Sequence, residues 1–184
     1  MRVSRDVAVQ NRQKVVETAG RAFREQGYDG IGVAGLMRAA GLTHGGFYKQ
    51  FADKEALAAE ATATALRDNL AKWVDVIDGT DGDPLGALAD RYLSPAHVKR
   101  RDVGCTFAAL AAEAPRHGPE MTKVFAEALE AWVSTVAEAA PVESRADILK
   151  AISTMLGALI LARAVGDDAM AREILDAASR SSTS

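Results

Sequence analysis

Between positions 43 and 54 the chain gathers Thr43, His44, Tyr48, Lys49 and Lys54, with Gly45 and Gly46 set among them. Hydroxyls, an imidazole and two ammonium groups are donors suited to phosphate oxygens and base edges, and paired glycines let a backbone approach its ligand closely. The residues that would position these groups are Leu36, Ala40, Leu42 and Phe47, whose spacing packs two short helices across a three-residue turn. Gly41 stands where that turn needs positive φ or a minimal side chain. The spacing predicts helices over 33–40 and 43–50, a helix-turn-helix whose second member enters a DNA major groove. Thr43 is expected to cap that second helix, and His44, Gly45 and Gly46 to meet base edges at its start. Tyr48 and Lys49 would donate to phosphates. Lys54 would do the same at the head of a long helix beginning at Asp53.

Phe47 and Phe51 read as core aromatics pointing toward the first helix, whereas Tyr48 reads as a phosphate contact because a buried hydroxyl would need a partner. His44 reads as an exposed polar residue when DNA is absent. Arg2 and Arg5 could form an arm over adjacent phosphates, although short basic N-termini are usually just solvated.

A second candidate lies in VGCTFAALAAEAPR. Cys105 is near the start of a helix predicted from Gly104 to Ala114 and follows Lys99, Arg100 and Arg101. Helix N-termini and cations favour thiolate, which makes a cysteine nucleophilic; the simpler reading is a small buried residue packing the core. A reversible ligand could instead occupy a pocket lined by Leu66, Asn69, Trp73, Tyr92, Phe107 and Phe125, residues that at helical spacing also read as core. His97 and His117 have no metal-ligand partner nearby in sequence and read as surface. No metal, cofactor or catalytic group is implied.

Periodicity is helical throughout and no strand-length alternation occurs, so the fold class is all-α. Helices are expected near 8–26, 53–78, 84–93, 104–114, 120–139, 145–165 and 168–178 besides the two short ones, about nine or ten in all. Gly27 would stop the first, Pro84 would start another after the GTDGDP break, and Pro141 would end the helix before it. SPAHVKRR reads as a turn, and the SRSSTS tail as disordered. From Ala151 onward the 145–165 helix is apolar almost all round, which requires cover on two sides; a second subunit is the natural second cover.

The 184 residues carry a formal charge of −3, but residues 1–55 hold nine Lys/Arg against six Asp/Glu while the remainder holds thirteen against nineteen. A basic head on an acidic body fits a head that touches DNA. The single cysteine excludes an internal disulfide and fits a reducing compartment. With neither a signal-like nor an uninterrupted membrane-spanning stretch, the expected location is the cytoplasm, with no membrane partner.

The segments QKVVETAGRAFREQGYDGIGV and AAGLTHGGFYKQFADKEAL resemble the first helices and helix-turn-helix signature of TetR-family regulators, over about residues 11–57. The resemblance implies a homodimer on a palindromic double-stranded operator, with an N-terminal three-helix DNA-binding domain (1–55) and a C-terminal helical ligand-binding and dimerisation domain (56–184). The homodimer would form through residues 120–165. The Thr43, His44, Gly45, Tyr48, Lys49 and Lys54 positions would be its DNA contacts. Gly32 stands where the family usually has a capping Ser or Thr that touches phosphate, so the contact is lost or passes to the Gly32 amide. Met37 replaces a small alanine, and Gln50 a frequent histidine. Gly104, Cys105 and Glu113 are similar to a segment of family members that respond to electrophiles. The function implied is a repressor that leaves DNA when a small-molecule effector or an electrophile acts near Cys105. Two other classes compete: a helical thiol enzyme with Cys105 as nucleophile and His97 or His117 as base, and a protein-interaction module that never meets DNA.

Overall fold

The computed structural model describes residues 5–140, 144–166 and 168–182. Among these the chain is helical without strands. The helices are α1 (Arg5–Gln26), α2 (Val33–Ala39), α3 (Lys54–Asp78), α4 (Pro84–Tyr92), α5 (Pro95–Lys99), α6 (Thr106–Leu110), α7 (Gly118–Ala139), α8 (Arg145–Val165) and α9 (Asp168–Ser182), with 3-10 turns at His44–Lys49 and Ala114–His117. Gly27 and Gly41 take positive φ, 75° and 71°, as their turn roles require. Asp53 caps α3 by accepting from the Ala56 amide at 2.7 Å, a contact of the kind worth about 1 kcal/mol.

Several expected boundaries move. SPAHVKRR contains a real helix, α5, because Ser94 caps it and Pro95 begins it. The expected 104–114 helix is only α6 followed by the Ala114–His117 turn, which carries Pro115 at an early position. Helix α7 begins at Gly118 rather than Glu120. The expected disordered tail is helical through Ser182 as the end of α9. Pro141, with its predicted helix stop, and the last two tail residues lie outside the described residues.

Two apolar cores share two long helices. The first joins Val15, Val16, Ala19 and Phe23 of α1 with Leu36 and Met37 of α2, Phe47, Phe51, and Leu57 and Ala61 of α3. It also takes Leu110, Ala114, Met121 and Phe125 from the α6–α7 region. The second joins Trp73 of α3 and Trp132, Val133 and Val136 of α7 to α4, α8 and α9. Helices α3 and α7 thus run through both cores, so the head is seated on the body by packing rather than by a linker. Helix α8 is long and apolar enough to cross a membrane, but about a third of that stretch is buried in this second core.

The stretch from His97 to Thr106 is tied to three different helices. Arg24 of α1 donates to the Asp102 carbonyl at 2.8 Å. Asn69 of α3 donates to the Gly104 carbonyl at 3.2 Å and accepts from both the amide and hydroxyl of Thr106 at 2.8 Å. Arg163 of α8 donates to the carbonyls of His97 and Val98 at 3.0 and 3.3 Å. Gly104 is held so closely that a Cβ there would lie 2.5 Å from the Arg100 carbonyl oxygen and 2.8 Å from Arg163 Nη2. Gly104→Ala is therefore expected to destabilise the fold by about 1–3 kcal/mol, the usual cost of forcing a methyl into packed backbone. Urea denaturation checks this; an unchanged midpoint would show that the segment is loose.

Candidate nucleic-acid interface

The head has an apolar interior and a polar outer face. Phe47 and Phe51 are buried against α1 and α2, with ring centroids 5.5 Å apart, as their core reading predicts. Arg12 of α1 lies over the Phe51 ring at 4.6 Å and pairs with Glu60 of α3, tying the first and third helices across the motif. Opposite this core, Thr43, His44, Gly45, Tyr48 and Lys49 are all exposed, and Tyr48 keeps 67% of its surface in contact with water. A tyrosine that packs so little and stands beside a lysine is available to an outside partner. Gly46 is half-buried.

Two details of the expected recognition helix are corrected. It is a 3-10 turn over His44–Lys49, since two consecutive glycines disfavour α-helix and only six residues separate its caps. Thr43 has the extended backbone of a capping residue, but its side chain makes no cap hydrogen bond; the turn begins on the Gly46 amide donating to the Thr43 carbonyl at 3.0 Å. The Thr43 hydroxyl is thereby left on the surface.

Gly32 is the N-cap of α2, in extended backbone, with no side-chain cap and open space where a Cβ would be. Nothing in the fold requires glycine there. Met37 is fully buried, and its terminal methyl lies 3.6 Å from the position of a Cβ on Gly46, so it packs against the turn facing α2. Gln50 turns its Nε2 back to the Gly46 carbonyl at 3.4 Å. Lys54, at the first position of α3, is half-buried and 4.0 Å from Asp29, a contact too exposed on the aspartate side to hold it strongly. Arg5 is exposed on α1, while Arg2 lies outside the described residues.

The groups that seat this head are ones the sequence did not single out as site residues. Glu113 accepts from the Tyr28 amide at 3.0 Å and lies against Gly27, where a Cβ would sit 2.9 Å from its Oε1. It thereby closes the end of α1 from the body. The Tyr28 hydroxyl pairs with Thr62 of α3 at 2.8 Å. His117 is not a surface residue as expected: its side chain is 8% exposed, lies 4.6 Å from the Tyr28 ring and meets Glu55 at 3.1 Å. Sequence spacing carries little trace of such long-range polar pairs.

In the body, the residues expected to line a ligand pocket divide. Leu66, Asn69, Trp73 and Phe107 line one interior cavity together with Cys105 and Trp132, but it holds only about 10 Å³, the room of a single water. Tyr92 and Phe125 are packed beside it, on Trp73 and Phe107 respectively, at 5.3 Å in both cases. Asn69 is fully occupied in holding Gly104 and Thr106. Among the described residues, the buried Trp132 Nε1 finds no hydrogen-bond partner, whereas the Tyr92 hydroxyl meets the Cys105 thiol.

Of the two readings of Cys105, the structure agrees with the simpler one, a small buried residue packing the core. It does precede a helix and Arg163 is near, but the helix is five residues long and the thiol is buried, and burial pushes the thiol up, outweighing both. His97 is likewise not on the surface. Its Nδ1–H donates to the Tyr92 carbonyl at 2.7 Å and its Nε2 accepts from the Cys105 amide at 2.9 Å, so the ring is a neutral strut between α4 and α6. Burial, with the facing cations Arg163, Arg91 and Lys72, pushes its pKa down to about 4.

The model for "Bacterial regulatory proteins, tetR family" matches residues 15–61. Residues 15–61 are thus similar to the N-terminal domain of that family. The chain is 36% identical over 87 residues to the HTH-type transcriptional repressor AcnR of Corynebacterium efficiens, which covers 43% of this chain and 45% of that one. It spans less than half the length of the curated relatives it matches. A TetR transcriptional regulator from Chloroflexus aurantiacus is similar in fold over 96% of both chains, with a TM-score of 0.81 and 24% identity. The reduced form of NemR from E. coli is similar over 93% of this chain and 94% of its own, with a TM-score of 0.79 and 17% identity. At these identities the solved structures show a shared fold, and the sequence match to the TetR-family domain is what bears on the interface.

The His97 strut gives a pH test. Folding disfavours the imidazolium, so its contribution to stability is complete above the ordinary 6.5 and is lost as pH falls toward about 4. The total is on the order of 3 kcal/mol. Denaturation of wild type and His97→Gln between pH 7 and pH 4 should show a smaller loss in the variant; parallel losses would mean that the ring titrates freely.

Proposed function

We propose that this chain is a TetR-family DNA-binding transcriptional regulator, a repressor that holds a palindromic operator as a homodimer and releases it when a small molecule acts on its helical body. The observation that carries this reading is the exposed set Thr43, His44, Gly45, Tyr48 and Lys49, held out by a fully packed helix-turn-helix inside the segment that matches the TetR-family domain. Gly46 and the Gly32 amide would lie at the same surface. Lys54 adds a cation at the head of α3, where unpaired amides also favour phosphate. Residues 1–55 would be the DNA-reading domain and 56–184 the effector and dimerisation domain, in the cytoplasm.

The dimer face is proposed on the 120–165 region. Ile160, Leu161 and Val165 of α8 are exposed at spacings that place them on one side of the helix, an apolar stripe that a second copy would cover. The effector is proposed to enter the aromatic interior around Leu66, Asn69, Trp73, Tyr92, Phe107 and Phe125. Small as the cavity is, Trp132 Nε1 is a buried donor without a partner among the described residues, which a polar ligand atom would satisfy. In this reading Cys105 packs the wall of that interior and does not sense electrophiles by a standing thiolate. The chain is a binding protein and not an enzyme.

The test is fluorescence anisotropy on the DNA flanking its own coding region across a salt series. A regulator with several phosphate contacts binds with a steep salt slope, and Lys49→Gln should weaken binding and reduce that slope by about one. Binding that is absent, or that ignores salt and Lys49, would contradict the reading.

A further inference from the structure

A second cavity lies outside the aromatic interior. It is an open cleft of about 690 Å³ between the outer side of α3 and the segment from Arg91 to Gly104. Its charged lining is Lys72, Arg91 and Arg100 against a single carboxylate, Asp75. Among the described residues, Arg91 and Lys72 pair with no carboxylate, and only Arg100 has an anionic partner, Asp102 at 3.2 Å. The remaining lining is largely apolar or backbone: Trp73, Val76, Ala96, Val103 and Gly104. One wall is fixed, because Gly104 is wedged between Arg100 and Arg163 and its carbonyl is held by Asn69.

Volume and charge together restrict the occupant. A cleft of this size is in the range of organic ligand sites and far larger than an inorganic anion needs. Two unpaired cations and a third that is partly neutralised leave an excess of positive charge, which also bears on the neutral state of the His97 ring at the cleft wall. Trp73 and Asn69 line both this cleft and the interior cavity, so a molecule seated outside touches the residues that bound the inside.

We infer that the cleft between α3 and the Arg91–Gly104 segment binds an organic anion, its acidic group held by Lys72, Arg91 and Arg100 and its apolar body laid along Trp73 and Val76. This deepens the proposed function by naming the chemical class of effector, and as a control element it rests on that reading. The route to the DNA face is short in residues: Val103 and Gly104 line the cleft, the next carbonyl back, that of Asp102, receives Arg24, and Arg24 belongs to α1.

The site can be tested without DNA. Titration of the full chain with 1-anilinonaphthalene-8-sulfonate, an apolar body bearing one sulfonate, is followed by dye fluorescence. Lys72→Gln/Arg91→Gln should weaken binding about tenfold or more, as expected from losing charge-assisted contacts. Arg91→Lys, which keeps the charge, should restore most of the affinity to the Arg91→Gln single variant. Val9→Ser, at an exposed position of α1, should leave binding unchanged. Binding insensitive to Lys72 and Arg91, binding abolished by Val9→Ser, or no saturable binding would each overturn the inference. Dye binding that follows the prediction in a protein that fails to bind DNA would sink the regulator reading and leave the cleft standing, so the two failures are distinguishable.

Discussion

The backbone from His97 to Thr106 runs partly inside the protein with its carbonyls aimed at three helices, and peptide groups removed from water need partners. Arg24, Asn69 and Arg163 supply them, one each from α1, α3 and α8. His97 adds a fourth tie by bridging the end of α4 to the start of α6. Because each tie involves a different helix, the segment cannot shift without either breaking a buried hydrogen bond or moving a helix with it. The cost of leaving one such group unpaired, about 1–3 kcal/mol, is comparable to the free energies by which ligands usually bias proteins between states. A small displacement there is therefore large enough in energy to be felt at α1.

The head depends on this seating. Its own core is small, and it gains Leu110, Ala114, Met121 and Phe125 from the body. Glu113 closes the end of α1, and the Tyr28 hydroxyl is held by Thr62. With structural demands met by these inward contacts, the residues from Thr43 to Lys49 on the outer face remain uncommitted. Their side chains stand in water except where rings touch locally, as His44 and Tyr48 do at 6.1 Å. Stability is assigned to one side of the motif and the other side is left free in water, presented by a short 3-10 turn.

Much of this was readable before any coordinates. The apolar spacing of Leu36, Ala40, Leu42 and Phe47 and the turn glycine Gly41 specify the helix-turn-helix locally, and the Asp53 cap and the extent of α8 follow from rules that act within a few residues. What escaped depends on distance along the chain. His97 and His117 looked like surface residues because their partners, the Cys105 amide and the Tyr28 ring, are set by tertiary packing. For Cys105 the sequence offers both nearby cations and the usual burial of a free cysteine, and burial is the stronger effect.

The central claim is that the exposed face of this helix-turn-helix reads DNA as part of a two-fold assembly. The most direct measurement is selection of bound duplexes from a random pool by the full-length protein, followed by sequencing. The account predicts a palindromic consensus, since a two-fold dimer presents the same residues to each half-site. Enrichment of a single unpaired half-site would contradict the dimeric account, and no enrichment at all would contradict the claim that Thr43 to Lys49 face DNA.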